Sequence, residues 1–221
     1  MNRARRSTFV TSQHVALLLA FGCLACAGSA RGETKQLFDG KTLGKWKVTD
    51  FAGHGKVQVE DGNLVIRDGV DLTGVTWSGE VLRENYEISL EAKRAEGSDF
   101  FCGLTFPVGK DHVSLIVGGW GGGIVGISSI DSADASENQT TTYHEFKNGQ
   151  WYTIKARVTE KKIEAWIDKE QVVDVEREGH RLNVRFEVEP SQPLGIATWR
   201  TTAHLRKISV APLYTAQKKA D

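Results

Sequence analysis

Apolar and polar residues alternate with a period of two through most of the chain beyond residue 55, in short runs broken by Gly, Asp and Asn. The runs cover 56–60, 63–67, 74–78, 86–94, 100–108, 112–119 and 123–130, then 151–159, 162–168, 171–175, 193–199 and 204–213. Segments of this length, rich in Val, Ile, Trp and Phe, predict about twelve strands. "VEDGNLVI" and "VTEKKIEAW" carry hairpin turn signals. No window of about eleven residues has the period of an amphipathic helix, and βαβ spacing is absent. The pattern therefore predicts an all-β fold, a jelly-roll sandwich of two antiparallel sheets.

Alternation also assigns faces. Tyr86, Ile88, Leu90 and Ala92 point one way, and Glu87, Ser89, Glu91 and Lys93 the other. Likewise Tyr152, Ile154, Ala156 and Val158 oppose Thr153, Lys155 and Arg157. Each strand thus has a core face and a polar face, and in a curved jelly roll the concave polar face is the usual place for a carbohydrate.

Residues 1–30 read differently. Arg3, Arg5 and Arg6 precede an apolar stretch over 15–27, followed by Gly28, Ser29 and Ala30. This is the pattern of a secretory signal peptide cleaved after Ala30, too short to span a bilayer. It predicts a secreted or periplasmic protein with no transmembrane segment in the mature chain. Cys23 and Cys26 lack a leucine three positions upstream, which argues against a lipid anchor. Cleavage removes three arginines from a chain with 28 basic and 28 acidic residues, leaving a net charge of about −3. Without a basic stripe, nucleic acid is not an expected partner. Only Cys102 remains, so no intrachain disulfide can form, and stability must come from one core. The domain is expected over 35–213 and a flexible tail over 214–221.

"GGWGGG", residues 118–123, includes a formal G-x-G-x-x-G over 121–126. A dinucleotide site needs a helix after those glycines. Here Ile124, Val125, Ile127 and Ile130 follow, a β-branched run that favours a strand. The glycines are therefore a turn between strands. Trp120 at its tip has no side chains beside it in sequence to bury it, and glycine lets a ligand approach the backbone.

"QLFDGKTLGKWKV", "DGNLVI", "YEISLEAKR", "NGQWYTIKARVTEKKIEAWIDKEQVV" and "LGIATWRTTAHLRKISVAPL" follow in an order that resembles the 3-keto-disaccharide hydrolase domain family, formerly a domain of unknown function. The resemblance covers nearly the whole mature chain. It implies a concanavalin A-like lectin/glucanase fold, an exported bacterial protein and a part in sugar-polymer breakdown. The chain departs from the family pattern in three places. Pro107 stands where an arginine is usual, "HVSLIV" replaces a strand with a Tyr-Glu pair, and "TWRTTA" replaces Gln-Asp-His-Gly.

Aromatic faces stack on pyranose rings while polar groups fix their orientation. Trp77, Trp120 and Trp199 lie in or beside turns, and Arg200 follows Trp199; these four are the candidate substrate-binding residues. Glycoside hydrolysis usually takes two carboxylates about 5–9.5 Å apart. Glu87 and Glu91 share a strand face, but four residues of strand separate them by about 13 Å. A 3-keto glycoside is easier to cleave, because its ketone acidifies the C2 proton and one base can drive elimination. Glu91, which matches the family's "lEwR" position, and His112 are the candidate catalytic residues. No cofactor is identified; a divalent metal, Ca2+ included, is left open, and the acids of "DSADASEN" (131–138) lack the spacing of a helix-loop-helix calcium loop. The expected partner is a carbohydrate or glycoside, and two functions fit: a 3-keto-glycoside hydrolase, or a lectin-like domain without catalysis.

Overall fold

A computed structural model describes residues 30–214. The leader expected over 1–30 and the tail over 214–221 lie outside the described residues, apart from Ala30 and Tyr214. Among the described residues no helix is long and apolar enough to cross a membrane.

Two antiparallel sheets face each other. The first runs in the order β14 (Glu170–Glu176), β13 (Lys162–Ile167), β12 (Tyr152–Val158), β7 (Tyr86–Glu96), β16 (Thr202–Tyr214), β5 (Asn63–Ile66) and β4 (Val57–Glu60). Two short strands, β1 (Ala30–Arg31) and β2 (Lys35–Gln36), also pair with β16. The second sheet runs β11 (Thr142–Tyr143), β10 (Ile124–Ser128), β9 (Asp111–Gly119), β8 (Cys102–Val108), β15 (Gly195–Trp199), β6 (Leu72–Trp77) and β3 (Trp46–Val48). All twelve expected runs are strands. The four that alternation does not announce, β1, β2, β3 and β11, have two or three residues each, too few to show a period.

The core forms where the inward registers meet. Tyr86, Ile88, Leu90, Ala92, Ile154 and Ala156 of the first sheet pack against Leu104, Phe106, Leu115, Val117, Ile127 and Ile196 of the second. Cys102 is fully buried here, and the apolar surroundings push its thiol up to about 12. The β4–β5 hairpin closes at Asp61–Gly62, as its turn signal indicates. Glu87, placed outward by alternation, is nonetheless 2 % exposed, because Arg157 and Lys155 of the neighbouring β12 close over its carboxylate.

The Tyr86 hydroxyl joins the sheets through the core, donating to the Pro107 carbonyl at 2.6 Å. Burial raises the phenol well above its ordinary pKa, so it stays a donor. Tyr86→Phe leaves that carbonyl unserved and should cost about 1–2 kcal/mol. Differential scanning calorimetry should then show Tm falling by about 3–6 °C, given the size of the domain.

Candidate functional site

The register that sends Leu115 and Ile127 inward turns Ser114, Ile116 and Ser128 to the outer face of the second sheet. With Leu72, Trp199 and Phe100 they form a cleft of about 260 Å³, closed on one side by Trp120 and Asp99 and on the other by Arg185, Glu187 and Val188. The floor is apolar. Leu72 and Ala197 are buried with Phe51, and Phe100, Val188 and Trp199 pack on them.

The first wall is the glycine turn between β9 and β10. Trp120 sits at its tip with φ +48° and 47 % of its surface exposed. That conformation is unfavourable for a bulky side chain and persists only when its surroundings impose it. The Gly122 and Gly123 N–H groups donate to the Gly119 carbonyl at 3.2 Å each, and the Gly121 N–H donates to Asp99 Oδ2 at 3.3 Å. Behind the turn lies the buried guanidinium of Arg94. It donates to the carbonyls of Gly122 (3.3 Å), Asp99 (3.4 Å) and Phe146 (2.8 Å) and to Asn148 Oδ1 (2.6 Å). Gly122 is required for this approach, because a Cβ there would meet Arg94 Nη1 at 2.8 Å.

The second wall belongs to the long connection 177–194, which includes a short 3-10 helix, Phe186–Ser191, lying on β15 and β6. Gly195 lets it lie flat, since a Cβ there would meet the Ser191 carbonyl at 2.5 Å. Arg185 grips Glu187 with two hydrogen bonds of 3.1 and 2.8 Å and also pairs with Asp134. Hydrogen bonds from Arg185 hold the Glu187 carboxyl below its ordinary range. Asp134 also accepts from Ser128 Oγ at 2.8 Å, and Asp131 holds His180 and the Arg181 N–H. The acids of 131–134 thus pair with basic residues of the second wall. Among the described residues no group of three or more His, Cys, Asp or Glu is placed to hold a metal ion.

Of the residues singled out from sequence, Trp120 and Trp199 come together in this cleft. Arg200 stands beside it, its guanidinium 5.4 Å from the Trp199 ring centre and bonded to Asp71 at 2.6 Å. Trp77 does not belong to the cleft. It shares the inward register of Val75, is 5 % exposed and packs on Trp46 at 5.2 Å, so a position near a turn is overridden by strand parity. Glu91 faces outward as alternation requires, but from the first sheet, on the far side of the sandwich from the cleft. Burial opposes its ionisation, yet hydrogen bonds from Lys207 and Arg206 prevail and hold its carboxyl below the ordinary range. It is a paired surface carboxylate, not a base facing the cleft. His112 shares the outward register of Ser114 and Ile116 but stands just beyond the residues that line the cleft. Its Nε2 is buried without a hydrogen-bond partner among the described residues, and burial lowers its pKa.

Phe100, Asp99, Arg94, Arg185 and Glu187 are absent from the sequence-based set. The length of the aperiodic connection between β14 and β15 is the signal that could have raised the last two, because long irregular loops in compact domains tend to be functional.

A β-sandwich with an aromatic cleft on one outer face has the fold of glycosyl hydrolases and carbohydrate-binding modules. The model of the 3-keto-alpha-glucoside-1,2-lyase-like domain matches residues 33–211, and the chain belongs to that family. Carbohydrate binding module CBM66 from Bacillus subtilis aligns at 14 % identity with a TM-score of 0.52, over 75 % of this chain and 94 % of that one. Crh5 transglycosylase in complex with NAG aligns at 15 % identity and 0.54, over 86 % and 88 %. A Bacillus subtilis protein of unknown function with a galectin-like fold aligns at 9 % identity and 0.58, over 85 % and 98 %. At these identities the likeness is one of fold. No curated protein matches in sequence.

Arg94→Met keeps the apolar stem and removes the donors from four oxygen atoms. It should destabilise the protein by about 2–4 kcal/mol. Trp120 should at the same time lose its fixed position, which near-ultraviolet circular dichroism would register as a loss of indole signal.

Proposed function

We propose that the protein binds a glycoside in the cleft between Trp120 and Trp199. The observation that carries this is the exposed Trp120, held at a positive φ by Asp99 and Arg94 rather than by packing. An exposed aromatic side chain kept in an unfavourable backbone conformation is the kind of strain that clusters at ligand sites. An indole over an apolar floor suits the C–H face of a pyranose. Ser114, Ser128, Arg185 and Glu187 supply partners for its hydroxyls. The leader-like pattern of residues 1–30 supports export to the periplasm or beyond.

Membership of the lyase-like family supports a further step, cleavage of 3-keto glycosides. A base takes the C2 proton, and its electron pair becomes the C1–C2 double bond. The aglycone leaves C1 with the glycosidic oxygen and gains a proton. Water then adds at C1 while a proton returns to C2, which completes a net hydrolysis. His112 is the proposed base, because burial favours its neutral form and it shares the outward face of β9 with Ser114. Its Nε2 is buried, so the ring must turn toward the cleft to act. One observation favours the lectin-like reading instead. Both cleft carboxylates are committed, Asp99 to the N–H groups of Phe100 and Gly121, and Glu187 to Arg185.

Incubation with 3-keto and ordinary glycosides, with and without divalent metal, separates the two. Turnover of the 3-keto substrate alone supports the enzyme, and saturable binding without turnover supports the lectin-like domain. In the first case His112→Gln should abolish turnover while leaving affinity intact. Because the base must be unprotonated, the wild-type rate should fall only as pH drops below the ordinary histidine range of about 6.5. Trp120→Ala should weaken glycoside binding by about 1–3 kcal/mol in calorimetric titration, the scale of aromatic stacking on a ring. Its Tm should hardly move. A loss of about 3–5 kcal/mol in stability would instead identify Trp120 as a core plug.

A further inference from the structure

The second wall of the cleft has two sides. Arg185 and Glu187, which line the indole cleft, also line a second hollow of about 440 Å³ bounded by Ser129, Ser132, Asn183 and Phe186. The two spaces differ in chemistry. The first has an apolar floor between indoles, whereas the second is lined mainly by hydroxyl, carboxamide and carboxylate groups. Between them the ion pair remains partly accessible, with 47 % of the Arg185 side chain and 31 % of the Glu187 side chain exposed. Groups so placed are within reach of hydroxyls from either side.

Phe186 is the odd residue of this segment. It is 77 % exposed and belongs to neither apolar cluster, while Val184 beside it is buried and Val188 packs on the floor of the cleft. At the other wall Tyr143, 73 % exposed, lies over the glycine turn so closely that a Cβ on Gly123 would meet its ring at 2.2 Å. Exposed rings therefore stand at both walls, Tyr143 against the glycine turn and Phe186 in the polar hollow. An array of this kind suits a chain of sugars better than a single one, because each ring needs a face to lie on and polar groups at its edge.

We propose that the ligand is an oligosaccharide which runs from the indole cleft across the Arg185–Glu187 pair into the polar hollow, where its next sugar lies against Phe186. The proposal rests on the glycoside reading of the cleft. The polar hollow, with one aromatic ring and no apolar floor, selects for chain length and does not hold a lone sugar.

The test is calorimetric titration of the full mature chain with glucose and with α- and β-linked gluco-oligosaccharides of two to four units. Affinity should rise about tenfold from glucose to the chain that reaches Phe186, the scale of one stacked ring. Phe186→Ala should remove most of that gain while leaving glucose affinity and Tm unchanged. Affinity independent of chain length overturns the proposal and leaves the glycoside reading standing, as does an equal effect of Phe186→Ala on every ligand. Absence of binding by the whole series overturns the proposal, and the glycoside reading falls with it if 3-keto glycosides also fail to bind.

Discussion

The inward register of β7 carries Tyr86, Ile88, Leu90 and Ala92 into the core and then arrives at Arg94, a charged group at a position where the four before it pack against the opposite sheet. A guanidinium that is 7 % exposed has little water to bond, so protein oxygens must come to it. They come from three separate segments: Asp99 after β7, Gly122 in the turn after β9, and Phe146 with Asn148 before β12. Below the cation, Phe101, Phe146 and Tyr152 pack edge to face or tilted at 5.0–6.1 Å, and Phe101 lies 5.8 Å from it. Displacing any one segment would leave a buried charge short of an acceptor. That requirement fixes the end of the sandwich on which Trp120 stands.

The two walls of the cleft are therefore built on different physics. The glycine turn is tied to a largely buried cation, whose bonds to the Gly122 and Phe146 carbonyls are shielded from solvent. The wall at 185–188 hangs on Arg185, Asp134 and Asp131, whose pairs are partly exposed. Contacts of that kind are screened and individually weak. What keeps this wall in place is apolar contact: Val188 packs with Leu72, Ala197 and Trp199 on the floor, and Gly195 allows the 3-10 helix to come that close.

Much of the fold was legible because its determinant is local. Alternation in 86–92 and 152–158 is a direct record of which side chains enter the core, and the turn residues of "VEDGNLVI" mark where one strand ends. The glycines around Trp120 were equally direct, since they deny it neighbours. The site was less legible because it depends on which sheet bears the cleft, and alternation gives only the parity of a strand. Glu91 is outward as read, yet on the sheet opposite the cleft. Trp77 could have been excluded by extending the parity of Val75 along β6. Arg94 was also readable in principle, because it continues the inward register of Ala92. Arg185 and Glu187 sit in a segment with no period, so only its length distinguishes it.

Three of the four oxygens that hold Arg94 belong to the main chain. A main-chain carbonyl is present whatever side chain its residue carries. Side chains at the rim can therefore be exchanged without loosening the latch, provided the backbone path and Gly122 are kept. On the proposed glycoside reading, preference for one sugar over another could drift by single substitutions at positions such as Trp120 or Phe100, with the scaffold beneath them unchanged. The fixed charge at the base of the loops is what leaves their outer surface free to diversify.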